Sequence, residues 1–207
     1  MQDTEIFEKL VRKVYHDGVN ILGPLREIVR IKLNSPAGDY ILKNTSYFLI
    51  LIKNLRFFYL ISKKPEFFEK ERFMLADVIK DILTDLKYYN PPDLNMVLDT
   101  ELQCPEEPLY MIIFNIISNA CRFGKDVKIE IKDSRLIVSN TTIYPIPNNV
   151  KSIYDLSIAY DKFNIIGAGV GLKIVKRSLE FIKDLKMDYK IKSNLVEISL
   201  DYSNFIV

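Results

Sequence analysis

Apolar residues recur along the first part of the chain at the spacing of a helix: Ile6, Leu10, Val14, Leu22, Leu25, Ile28 and Val29 fall along one stripe. That pattern predicts one long amphipathic helix from about Thr4 to Leu33. Asn34, Ser35, Pro36, Ala37 and Gly38 make a compact turn cluster, and a second helical run follows from about Asp39 to Ser62. The two runs form a hairpin. Its second arm is apolar on more than one face (Tyr47 to Ile52, Phe57, Phe58, Leu60, Ile61), which is more than one neighbouring helix covers. A homodimer that joins two hairpins into a four-helix bundle is therefore expected.

After Lys63, Lys64 and Pro65 the rhythm changes to mixed elements, which sets a boundary between a helical hairpin at 1–65 and a second domain at 66–207. The predicted order there is a helix near 75–89, a strand near 95–102 and a helix near 108–123. Two strands at 126–140, an irregular stretch to 166, a helix at 170–186 and a closing hairpin complete it. The fold class is α+β, with the hairpin followed by an α/β sandwich of helices on one face of a mainly antiparallel sheet.

Composition narrows the partners. Of 207 residues, 29 are Lys or Arg and 27 are Asp or Glu, so the net charge of +2 supplies no field that would recruit nucleic acid. Cys104 and Cys121 match no metal or redox spacing and read as reduced thiols of a cytoplasmic protein. The acidic start MQDTEIFEKL lacks the basic and apolar regions of a secretory signal. The stretch Tyr47 to Ile61 is interrupted by Lys53, Asn54 and Arg56, so no membrane span is expected.

Three constellations could carry chemistry. The first is His16-Asp17-Gly18-Val19-Asn20, around the chain's single histidine. One helical turn separates His16 from Asn20, which puts them on one face. An imidazole there can accept a phosphoryl group if Asp17 takes its other proton and fixes the tautomer, and Asn20 can orient a water for the reverse, hydrolytic step. Taken in isolation, a lone helical histidine is more often a surface or core residue. Gly18, Gly23 and Pro24 argue otherwise, because they loosen a helix with no packing gain visible in the sequence.

The second constellation is Asn115 and Asn119, at i and i+4 on an apolar helix, with Arg122 one turn further. Two aligned carboxamides can hold magnesium, with Asn119 as its ligand, and the phosphate oxygens around it. Two polar residues on a helix ordinarily just face water, but the flanking Ile112, Ile113, Ile116 and Ile117 make this pair less casual. The third is Gly167-Ala168-Gly169-Val170-Gly171-Leu172, which opens a helical run. Backbone amides at such a helix mouth favour a phosphate chain, although a glycine cluster alone is a weak signal.

In this order and at these separations, the three resemble the motifs of the histidine kinase family of two-component signalling, over nearly the whole chain. HDGVNILGPL is similar to the family's phosphoacceptor box, with Pro24 eight positions after His16 as in nitrogen-regulation-type kinases and Ile21 where a more widespread proline stands. NIISNACRF is similar to its asparagine box and GAGVGLKIVKR to its second glycine box. The resemblance implies that the second domain is a Bergerat-type ATP-binding fold with residues 141–166 as its lid. ATP and Mg²⁺ would be its cofactors, and a response regulator receiver domain its partner. Asn115, Asn119, Arg122, Asn140, Gly167, Gly169, Gly171 and Leu172 would line the nucleotide site.

The first glycine box departs from the family pattern. Asn140 stands where the family has the acid that bonds the adenine amino group, and Thr142 where it has a glycine. A neutral amide still pairs with adenine but loses a charge-assisted bond of about 1.5–3 kcal/mol, roughly tenfold or more in affinity. The lid has no clear phenylalanine box, and no sensor or membrane segment is expected before the hairpin. The leading expectation is a cytoplasmic histidine kinase core that phosphorylates His16 from ATP, passes the group to a receiver aspartate and, through Asn20, also acts as its phosphatase. The alternative is a histidine phosphotransfer protein whose degenerate ATP domain docks receivers in a relay. A third is a purely regulatory interaction module.

Overall fold

A computed structural model describes every residue except 1, 33–34, 64, 87–91, 96–99, 148–149, 151, 154 and 156–169. The chain divides into two compact units, Met1–Phe67 and Phe68–Val207. Among the described residues no helix is long and apolar enough to cross a membrane.

The first unit pairs α1 (Gln2–Lys32) with α2 (Pro36–Lys63) and ends in a 3₁₀ turn at Pro65–Phe67. Pro36, Ala37 and Gly38 read as turn in the sequence, yet they are the first residues of α2. The reason is local: Ser35 caps the helix by accepting the Gly38 N–H on its hydroxyl at 3.2 Å, and Pro36 follows at the first helical position, where its missing N–H costs nothing. Helix α1 continues through Pro24. Gly23 immediately before it has no Cβ to clash with the proline ring, and apart from its chain neighbours and its own helix backbone nothing lies within 4 Å of where one would stand. Gly18 has a packing role that the sequence did not show, because a Cβ there would collide with the Ile52 side chain of α2. One turn earlier the Arg56 guanidinium lies 4.9 Å from the Tyr15 ring centre.

These contacts show which side of each helix faces the other. Val14, Ile21 and Ile28, all exposed, each precede by one position Tyr15, Leu22 and Val29 of the contact face. Ile41, Phe48 and Leu55, also exposed, precede Leu42, Leu49 and Arg56 in the same way. In an antiparallel pair, the positions one before the contact residues turn to the same side of the hairpin. One side therefore carries an uncovered apolar seam at seven-residue spacing, widened by Leu25 and Phe58.

The second unit runs β1 (Glu71–Met74), α3 (Leu75–Leu86), β2 (Asp93–Asn95), β3 (Glu101–Cys104), α4 (Glu106–Phe123), β4 (Gly124–Lys132), β5 (Arg135–Thr142), α5 (Val170–Phe181), β6 (Lys186–Lys192) and β7 (Leu195–Asp201). Five strands form a sheet in the order β2-β4-β5-β7-β6, antiparallel except for the β2–β4 edge pair. Helices α4 and α5 pack against each other, and α4 packs on β4 and β5. Alternation in β5 aims Leu136, Val138, Asn140 and Thr142 at this layer. The α+β class and the helical hairpin are as expected.

Two elements differ from the sequence reading. The single strand near 95–102 is two pieces, and β3 leaves the main sheet to pair with β1, a strand that its sequence pattern did not reveal. Helix α5 stops at Phe181 rather than at 186. Ile182 and Leu185 prolong the apolar period, and both are buried, but they form a turn that feeds β6.

The core of this unit is apolar and leaves its thiols inert: burial pushes Cys104 up to about 12 and Cys121 up to about 11. Ser178 on α5 is fully buried, and among the described residues its hydroxyl has no hydrogen-bond partner. Replacing it with alanine removes an unpaired polar atom without opening a cavity. Ser178→Ala is expected to raise unfolding stability by about 1 kcal/mol in a urea titration, and a loss of that size would show that the hydroxyl is bonded in solution.

Candidate functional site

The first group of candidate residues lies on α1. His16 is 75% exposed and Asp17 50%, with the Asp17 carboxylate oxygen 3.3 Å from His16 Nδ1. A proton on Nδ1 is thus shared with the carboxylate, which leaves Nε2 with its lone pair directed to solvent. The Asn20 carboxamide nitrogen lies 3.1 Å from Nε2 and 3.2 Å from Nδ1, so it straddles the ring instead of bonding one nitrogen. His16 follows Val14 by two positions, about 200° round the helix, so the imidazole points away from the apolar seam.

The second group lies in the other unit. Asn115 is 3% exposed and donates its amide to the Met111 carbonyl at 2.8 Å. Its oxygen lies 2.5 Å from where a Cβ of Gly171 would stand, so this carboxamide fills the contact between α4 and the first turn of α5. Asn119, one turn on, is half-buried. Arg122 sits over the adjacent Phe123 ring at 4.9 Å. Leu172 is buried with the apolar side of α5. Gly167 and Gly169 lie outside the described residues, as does much of the 141–166 stretch.

Asn140 and Thr142 occupy the site end of β5, both buried. Thr142 donates its hydroxyl to the Tyr144 carbonyl at 2.8 Å, and its N–H goes to the Asn194 carbonyl at 2.7 Å. Asn140 packs directly on Gly124, the residue that joins α4 to β4 with no loop between them. Gly124 has ordinary extended angles, φ −128 and ψ 170, so glycine is needed there for space alone. Nothing in the sequence marked this residue; the only signal was a glycine exactly where a helix gives way to a strand.

No protein family matches the chain by sequence, and no curated protein does either. Solved structures do match by shape. Full-length ShkA, a histidine kinase solved in complex with AMPPNP, aligns over 98% of this chain and 46% of its own length, at a TM-score of 0.59 and 15% identity. The fold is that of a histidine kinase core. Acinetobacter baumannii histidine kinase AdeS aligns over 88% of this chain and 93% of its own at 14% identity and a TM-score of 0.48. The catalytic domain of histidine kinase ThkA covers 64% and 93% at 18% identity and 0.47. The likeness to ShkA shows the fold alone, and the chemistry rests on the residues above.

The two asparagine–glycine contacts have a measurable consequence. A Cβ at Gly171 meets Asn115 in a packed helix interface, so Gly171→Ala is expected to cost about 1–3 kcal/mol of stability in urea unfolding. An unchanged midpoint would mean that α5 does not lie on Asn115 in solution.

Proposed function

We propose that this chain is a cytoplasmic histidine kinase core that phosphorylates His16 from ATP and passes the group to an aspartate of a response regulator receiver domain. The observation that carries this reading is the exposed His16 imidazole with Asp17 on its Nδ1 side, on the helix face opposite the apolar seam. Nε2 attacks the γ-phosphorus, the N–P bond forms and ADP leaves with the bridging oxygen. Asp17 stabilises the charged ring by sharing the Nδ1 proton. Transfer to a receiver carboxylate breaks the N–P bond and returns a neutral imidazole. Asn20, alongside the ring, orients water for the phosphatase direction.

For the nucleotide, Asn119, Arg122, Asn140 and the glycine run 167–171 would line the site, with Asn115 and Leu172 supporting it from beneath. Mg²⁺ suits this set, because it takes most of its ligands from phosphate oxygens and water and needs only one amide oxygen from the protein, which Asn119 would supply. The ion would neutralise phosphate charge during transfer.

A second reading has its own support. Asn115 is engaged within the protein and Asn140 is uncharged, which suits a histidine phosphotransfer protein that receives its phosphoryl group from one receiver and gives it to another. Labelled ATP and a labelled phospho-receiver separate the two. Label from ATP that disappears in His16→Ala is the kinase outcome. Label from the phospho-receiver alone is the relay outcome, and label from neither removes both.

We also infer that the apolar seam pairs two hairpins into a homodimeric four-helix bundle. Ile21 at 65% exposure is the most open seam side chain of α1, and Phe48 at 51% that of α2. Burying such groups contributes about 1.5–3 kcal/mol each, and a charge there forfeits it. Ile21→Glu with Phe48→Glu is expected to convert a dimer to a monomer in light scattering at micromolar concentration. A monomeric wild type would overturn the inference.

A further inference from the structure

Two contacts set the register of the hairpin beside the imidazole. The Arg56 guanidinium lies over the Tyr15 ring, and the Ile52 side chain fills the space that a Cβ of Gly18 would take. Tyr15 thus stands level with Arg56 and Gly18 with Ile52, so His16 stands level with the turn Lys53–Arg56 of α2. Rotation matters as much as level. His16 follows Tyr15 by one position and Lys53 follows Ile52 by one, and each step turns about 100°. In an antiparallel pair the positions one after the contact residues turn to a common side, away from the side that carries the apolar seam. Lys53 is therefore the α2 cation that shares with His16 both its level and its side of the hairpin, and it is half-buried there.

A phosphoryl group at this position needs a cation. On Nε2 it carries about two negative charges, and the Asp17 carboxylate already lies 3.3 Å from Nδ1 of the same ring. Like charges so close oppose the phosphorylated state unless a positive group offsets them. On α1 the described cation of this turn is Lys13, whose neighbour at i+4 is Asp17 itself. Arg56 is spread over the Tyr15 ring on the line of contact between the helices. Among the described residues that leaves Lys53 on the imidazole side. The axes of packed helices lie about 8–10 Å apart. An ammonium on a flexible four-carbon stem crosses that gap to a group held on a projecting ring.

We propose that Lys53 binds the phosphoryl group on His16, so that the second arm of the hairpin supplies the charge that stabilises the phosphorylated histidine. This rests on the reading of His16 as phosphoryl acceptor, and it holds for either donor, ATP or a phospho-receiver. No covalent bond of Lys53 changes. Its N–H groups donate to phosphoryl oxygens as the N–P bond forms and release them when that bond breaks.

The test uses the full chain and potassium phosphoramidate, a donor that needs no protein partner: Nε2 bonds phosphorus, the donor's phosphorus–nitrogen bond breaks and ammonia leaves. Formation of phospho-His16 is followed by phosphorus NMR in wild type, Lys53→Met and Lys53→Arg. Lys186→Met, which removes the same charge from an exposed position of β6, is the control. Wild type and Lys186→Met are expected to label alike. Lys53→Met should label about fivefold more slowly and Lys53→Arg within about twofold of wild type, all with unchanged urea midpoints. A rate for Lys53→Met within about twofold of wild type overturns the proposal, as does an equal fall in Lys186→Met. A loss that Lys53→Arg does not restore overturns it too, since it marks a structural role. Should Lys53→Met fail to fold, Lys53→Gln takes its place under the same limits. Label absent from wild type is a different failure: it removes His16 as the acceptor, and this proposal with it.

Discussion

A helix pair can hold a histidine in water only if its apolar side chains are gathered on faces that point elsewhere. Helix α1 meets that constraint by position alone. Tyr15, Gly18 and Val29 turn toward α2, Val14, Ile21 and Ile28 turn one step to the side, and His16, Asp17 and Asn20 take what is left. Shifting the histidine by one residue in either direction would turn it about 100° and bring it toward the contact face or further from Asn20. Gly18 serves the same end. By letting Ile52 approach α1 closely, it brings the helices together immediately beside the imidazole turn without displacing it.

The second unit answers to a related constraint, that polar groups can enter an apolar layer only where a missing side chain leaves room. Helix α4 is buried along nearly its whole length, with Ile112, Ile113, Phe114, Ile116 and Ile117 in the core. Two amides nevertheless lie in this layer, Asn115 from the helix itself and Asn140 from β5. Each faces a glycine, Gly171 and Gly124 respectively. A methyl group at either glycine would push the amide aside, so the positions of the polar groups are fixed by backbone contact rather than by hydrogen bonds alone.

Much of this was legible along the chain. The helical periods of α1, α2 and α4 and the alternation of β5 follow from local burial on one face, which repeats in the sequence itself. Pairing between distant segments does not repeat locally. The β1–β3 sheet joins residues about thirty positions apart, and nothing in ERFM or ELQC announces it. The end of α5 was misread for the converse reason, since Ile182 and Leu185 keep the helical period after the helix has stopped. In the candidate site, the exposed His16 turn could be read from spacing. The contacts of Asn115 with Gly171 and of Asn140 with Gly124 could not, because each depends on two elements meeting in space.

The inward Asn115 bears differently on the two functional readings than its loss from solvent suggests. An amide that only bound phosphate would gain nothing from a helix-length of isoleucine around it. An amide that anchors the first turn of α5 sets where the backbone N–H groups of that turn point, and a helix start is where an anion is best received. On the kinase reading proposed above, Asn115 would act through Gly171 and Asn119 would meet the ligand. On this division of labour the burial of Asn115 tells equally for a working nucleotide site and for a relay.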